Sequence, residues 1–209
     1  MLQEVRMIKH ALLFCSFLFG VAHASQAEFG AIEIGAEAPG FSLPNLSGET
    51  VTLADHRGKV VVLEWFNPGC PFVKQAHESG GALEKMATAW SDKQVVWLAI
   101  NSGSPGKQGT GVETNQDAKK KWSMNHPILL DESGAVGRSY AAKTTPQMVV
   151  IDPEGRQVYN GALDNAPFGK TKGEPLSPIT ENVLKAVTEG KPSPQGRSKP
   201  YGCSVKYDS

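Results

Sequence analysis

The run VVVLEWF at residues 60–66 constrains this chain more than any other feature. It is almost continuously apolar and rich in β-branched side chains. Such a run reads as a strand covered on both faces, of the kind found in the middle of an α/β sheet. The rest of the 209 residues must therefore supply a layer on each side. A formal net charge of zero gives no electrostatic footing for nucleic acid or for an acidic membrane surface as partner.

The next residues, NPGCPF, end that strand and start something else. Pro71 is preorganised for the first position of a helix, so Cys70 stands at a helix start. The helix is expected over 71–90, with Phe72, Ala76, Leu83, Met86 and Ala87 inward. The pair Gly80-Gly81 should kink or split it. Downstream, QVVWLAIN (94–101) reads as a second buried strand, and the glycine-rich stretch 102–111 as a loop. A helix over 113–122, a short strand HPILLD and a short helix over 135–142 follow. PQMVVIDPEGRQVYNG reads as strand, tight turn and strand, and 179–189 as an amphipathic helix with Val183, Leu184 and Val187 inward. Ahead of the central run, Phe41, Leu43, Val51 and Leu53 alternate around turn residues 45–49, a hairpin signal. The expected fold class is α/β and thioredoxin-like: a central mixed sheet flanked by helices, an N-terminal β-hairpin and an extended, flexible C-terminal tail.

The first residues are read as a targeting segment. Arg6, Lys9 and His10 precede the apolar run ALLFCSFLFGVA, and Ala22-His23-Ala24 fits a small-x-small cleavage site. The expected organisation is a signal peptide at 1–24, a lead-in at 25–35, one domain at 36–190 and a cysteine-containing tail at 191–209. An uncleaved anchor is the other reading, but the run is short for a span of about 20 residues. No stable membrane insertion is expected after cleavage. The expected location is outside the cytoplasm, in a bacterial periplasm. Cleavage removes Cys15 and leaves Cys70 and Cys203. An even count in an oxidising compartment suggests a pair.

The stretch APGFSLPNLSGETVTLADHRGKVVVLEWFNPGCPF resembles the N-terminal half of the redoxin group within the thioredoxin-like superfamily, the alkyl hydroperoxide reductase–thiol-specific antioxidant (peroxiredoxin-like) family. TTPQMVVIDPEGR (144–156) is similar to that family's cis-proline segment and closing hairpin. The resemblance spans roughly 36–165 and implies that Cys70 is the nucleophile. It also implies a cis Thr145-Pro146 bond that holds the Thr145 backbone beside Cys70, ready to pair with an extended substrate. Three positions depart from the family's patterns. A thioredoxin-type reductase carries cysteine where Val73 stands, and a peroxiredoxin carries proline at position 63 and threonine or serine at 67, here Leu63 and Asn67.

A thiolate, not a thiol, is the nucleophile, and a helix start favours the anion. Lys74, one turn along, either adds positive charge or points to solvent. An inert, buried Cys70 is the plain alternative. With position 73 taken by valine, Cys203 is the candidate resolving cysteine, and a flexible tail can reach where a core strand cannot. A bridge across that loop is worth on the order of 5 kcal/mol by chain entropy, so a permanent staple stays open beside a working pair. His77 is expected to be a polar surface residue, with metal ligation or proton donation as alternatives. His56 and His126 are read as structural, and Trp65 and Phe66 as core or substrate surface.

The leading function is an exported thiol-dependent oxidoreductase. Its expected catalytic set is Cys70, Cys203, Thr145 and Pro146, with no cofactor and no metal. Its expected partners are a protein disulfide or peroxide substrate and an external thiol donor or thioredoxin-like reductase. Two alternatives stand beside it. One is a copper-handling protein using Cys70, Cys203 and His77, since soft thiolates suit copper(I). The other is a redox-silent binding module with a structural Cys70–Cys203 disulfide.

Overall fold

A computed structural model describes residues 32–78, 80–91 and 93–208. The proposed signal peptide and most of the lead-in lie outside the described residues. Strand β3 (Val60–Trp65) occupies the centre of a five-stranded sheet. β4 (Val95–Asn101) lies parallel to it, and β5 (Ile128–Leu130) lies parallel to β4. On the other side β7 (Met148–Ile151) and β8 (Gln157–Gly161) run antiparallel, giving the order β5-β4-β3-β7-β8. β1 (Ser42–Pro44) and β2 (Thr50–Thr52) form the expected hairpin. The mixed sheet, its flanking helices and the leading hairpin are the thioredoxin-like arrangement.

Every residue of β3 is buried, as its composition demanded. Strand periodicity divides them between the two faces. Val61, Leu63 and Trp65 join Phe41 and Leu43 of the hairpin, Tyr140 and Val149 in one cluster. Val60 and Val62 face the other way, against Ala76, Leu83, Val183 and Leu184 from the helices. Glu64 shares their parity, so its carboxylate is directed into the helical layer. Trp65 and Phe66 are core residues.

The helix expected over 71–90 is two helices, α1 (Pro71–His77) and α2 (Ala82–Trp90). The break has a physical cause at Gly81, where a Cβ would lie 2.2 Å from the Ala76 carbonyl oxygen, so only glycine lets the second helix start this close to the first. α3 (Val112–Lys121), α4 (Ala135–Ser139) and α5 (Ile179–Thr188) fall where the periodicity placed them.

The tail departs from expectation, because it is not a loose segment. Asn160 N–H donates to the Gly196 carbonyl (3.0 Å), Tyr201 Oη donates to Asp164 Oδ1 (2.5 Å), and Val205 N–H donates to the Lys143 carbonyl (3.1 Å). Ser104 N–H donates to the Lys206 carbonyl (2.8 Å), and Tyr207 Oη to that of Ala142 (2.9 Å). The polar backbone of a proline- and glycine-rich segment has found partners along the domain edge. These bonds carry strand β9 (Cys203–Ser204) against β6 (Thr144–Thr145).

Candidate active site

Cys70 caps α1, with Pro71 at the first helical position. Asn67 builds the turn in front of it. Its Oδ1 accepts from Gly69 N–H (2.7 Å) and its Nδ2 donates to the Gln108 carbonyl (2.9 Å). Gly109 presses on the same side chain, since a Cβ there would sit 2.0 Å from Asn67 Oδ1. Position 67, where the family's peroxidases carry threonine or serine, is here a structural clamp between the cysteine loop and loop 102–111.

The structure brings the sequence-predicted residues Cys70, Cys203, Thr145 and Pro146 to one point. The Thr145-Pro146 peptide bond is cis. Cys70 Sγ lies 3.0 Å from the Thr145 carbonyl oxygen and 2.8 Å from Cys203 Sγ. Both cysteines are free thiols. The antiparallel pair sets Cys203 opposite Thr145 in register. Gly202 makes the approach possible. Its φ is +147°, and a Cβ would fall 2.1 Å from the Thr145 carbonyl oxygen. Lys74 is exposed.

The two sulfurs differ in burial and in acidity. Cys70 is 0% exposed, among Phe66, Val73 and Trp122. Cys203 is partly exposed. Burial pushes the Cys70 thiol up. The Cys203 thiol, Thr145 and the backbone N–H groups of Val73 and Cys203 favour the anion more strongly, so its pKa lies below the ordinary value. Burial and the neighbouring Cys70 push Cys203 up to about 11. Cys70 is thus the more acidic of the two sulfurs, and Cys203 holds its proton.

Behind α1 lies a group that sequence reading missed. His77 is 1% exposed, not a surface residue, and its Nε2 is 2.6 Å from Oε1 of the fully buried Glu64. Trp97 Nε1 donates to Glu64 Oε2 (3.0 Å). Burial raises the Glu64 carboxyl, but the charge and hydrogen bond of His77, with smaller help from His126 and Trp97, hold it below the usual range. The His77 ring stacks on Trp122 at 5.5 Å, and Phe66 meets it edge-on at 5.5 Å. Burial pushes His126 down to about 4, and its Nε2 has no hydrogen-bond partner among the described residues, with Glu64 Oε2 4.0 Å away. A cavity of about 220 Å³ opens between these rings, lined by Trp90, Trp97, Trp122 and Met124. A signal was available: one carboxylate inside a strand buried on both faces requires a buried partner.

The comparisons with known proteins agree with this architecture. Residues 34–159 match the model of the AhpC/TSA family. Thioredoxin-like protein YneN of Bacillus subtilis is 33% identical over 131 residues, which cover 63% of this chain and 72% of that protein. The thiol-disulfide oxidoreductase ResA of Bacillus subtilis is 25% identical over 147 residues, 70% of this chain and 77% of that protein. Among solved structures, a protein of Sinorhizobium meliloti superposes with a TM-score of 0.76 at 28% identity, covering 86% of this chain and 97% of that one. A conserved protein of Geobacillus kaustophilus gives 0.76 at 29% identity, over 84% and 93%. With the sheet order, the cis-proline segment and the cysteine-capped helix in place, the chain belongs to the AhpC/TSA family of redoxins, in the thioredoxin-like superfamily.

Proposed function

We propose that this redoxin is an exported thiol-disulfide oxidoreductase in which Cys70 is the nucleophile and Cys203 resolves its mixed disulfide. The observation that carries the reading is the 2.8 Å separation of the two sulfurs beside the Thr145 carbonyl. The Cys70 thiolate attacks one sulfur of a disulfide, and the other sulfur leaves as a thiolate and takes a proton from water. Once Cys70 is bonded, its anion and its hydrogen bond no longer hold the proton on Cys203. Cys203 then ionises more readily and attacks Cys70 Sγ, and the substrate's remaining thiolate leaves. Two thiols of an external donor, a small thiol or a thioredoxin-like reductase, return the pair to the dithiol. Thr145 and Pro146 position the sulfur, and the N-terminal run directs export, with the periplasm as the expected site. The ResA relatives are named thiol-disulfide oxidoreductases, which favours disulfides over peroxides as substrate.

Cys203→Ser tests the reading. With oxidised glutathione, the variant should accumulate glutathione on Cys70 in a one-to-one adduct, while the wild type forms the internal disulfide and releases both glutathiones. With hydrogen peroxide, a Cys70 sulfenic acid that outpaces the glutathione reaction would reassign the substrate to peroxides. A variant that loses melting temperature and shows no adduct of either kind would make the pair a staple.

A further inference from the structure

Resting on that reading, we infer that Phe72 is the floor of a subsite for an aromatic side chain near the cysteine of a polypeptide disulfide substrate, and that Phe168 is the chain's own placeholder in it. Phe168 sits in a tight turn (Pro167–Gly169) of the connection between β8 and α5. Its ring stacks on that of Phe72, with centroids 4.0 Å apart and planes inclined by 30°. The Tyr201 ring lies 6.0 Å from the same Phe72 ring. Phe72 packs in turn against the cluster that contains Cys70 and Val73, and Cys203 packs against that cluster too. Phe72 comes two residues after the nucleophile, and Tyr201 two residues before the resolving cysteine. The aromatic stack therefore borders the sulfur pair.

The backbone marks Phe168 as an occupant that can leave. Its φ of +57° and ψ of +29° are left-handed, a conformation that bulky residues rarely adopt. Glycine would adopt it at no steric cost, so the turn itself does not call for an aromatic ring. The ring is also 45% exposed, so its burial against Phe72 is partial. The loop is held at its base instead. Asn165 Nδ2 donates to the Pro175 carbonyl (3.0 Å), Ser177 N–H donates to Asn165 Oδ1 (2.8 Å), and Ala166 N–H donates to Asp164 Oδ1 (2.7 Å). The tip can lift from Phe72 while these bonds keep the loop closed. Strain of this kind gathers where ligands are clamped, and lifting the tip relieves it.

What the subsite holds now sets the chemistry of its guest: a flat, uncharged ring. A polypeptide substrate has a use for such a contact because backbone pairing is closed to it. The family resemblance puts an extended substrate against Thr145, but in this chain β9 takes that position, with Cys203 opposite Thr145 and Gly202 against its carbonyl. Recognition then falls to side chains near the sulfurs, where Phe72 and Tyr201 present a partly exposed aromatic surface. An aromatic residue of the substrate stacks on Phe72 as Phe168 gives way.

The test mixes reduced, full-length mature protein with sub-saturating homodimeric disulfides of short peptides and follows release of the peptide thiol. One series carries phenylalanine at one of the two positions before or after the cysteine, and the reference peptide carries alanine throughout. The readout is the ratio of second-order rate constants, fastest phenylalanine peptide over alanine peptide. Phe168→Gly should raise that ratio about fivefold over wild type, the contribution of one aromatic stack. It is a surface change into a conformation that glycine accepts, so it decides the inference by itself. Phe72→Ala, checked for its melting transition, should abolish the preference for phenylalanine. A ratio that stays or falls in Phe168→Gly overturns the inference, as does a preference that survives Phe72→Ala. Oxidised glutathione, which carries no apolar side chain, is run alongside. Reaction with glutathione but with no peptide overturns the inference and leaves the underlying reading intact. Absence of reaction with every disulfide overturns the reading and the inference with it.

Discussion

Gly202→Ala isolates the contribution of the tail strand without touching either sulfur. An alanine Cβ would meet the Thr145 carbonyl oxygen at 2.1 Å, the carbonyl carbon at 2.6 Å and Pro146 N at 3.2 Å. All three are main-chain atoms of the segment that holds Cys70, so no flexible side chain can yield. Relief requires the strand to retreat by more than 1 Å, and a φ of +147° adds backbone strain, so a cost of about 1–3 kcal/mol is expected. The anchors on either side, Tyr201 to Asp164 and Val205 to Lys143, keep the tail attached. What fails is the register that sets Cys203 opposite Thr145. A misplacement of this size costs about 10²-fold in a positioned reaction. Closure of the Cys70–Cys203 disulfide, followed by loss of the second thiol after one equivalent of oxidised glutathione, should slow by that order. Gly48→Ala is the control: Gly48 also has positive φ (+85°) but nothing within 4 Å of its Cβ. It should lose about 1 kcal/mol of stability and keep the wild-type closure rate. Gly202→Ala closing its disulfide at the wild-type rate would refute the claim that β9 presents the resolving thiol.

Other outcomes follow from the buried groups. Glu64→Gln leaves His77 without its carboxylate and should destabilise the fold by about 3–5 kcal/mol, read by urea denaturation at neutral pH. His126 has a folded pKa of about 4 against an ordinary 6.5. Between those values the unfolded chain binds more protons, so stability rises with pH across that window and falls on acidification. The difference should be roughly 3 kcal/mol at full extent, and His126→Phe should flatten the pH dependence between 4 and 6.5. Cys70 should alkylate with an inflection below the ordinary thiol value when denatured protein serves as reference. Because the Cys203 thiol helps lower it, the inflection should move upward in Cys203→Ser.

Much of the molecule is legible in the amino-acid sequence itself. The β-branched run at 60–66 could only be a central strand, Pro71 marks a helix start, and Gly80-Gly81 marks a break. Each is a local preference acting over a few residues, and β3, α1 and α2 fall accordingly. Counting cysteines selects Cys203 once the expected cleavage removes Cys15, since valine stands at position 73. His77 shows where this kind of reading stops. Helical spacing from Cys70 says nothing of what that helix packs against, and the residue that claims its imidazole, Glu64, comes from another element. The tail shows the same limit. Its composition suggests a loose segment, yet carbonyl and amide groups at Lys143, Asn160 and Thr145 hold it in place. Only the tertiary structure decides which sulfur is buried and which faces solvent, because burial depends on all the layers that meet at a point and no single segment carries that information.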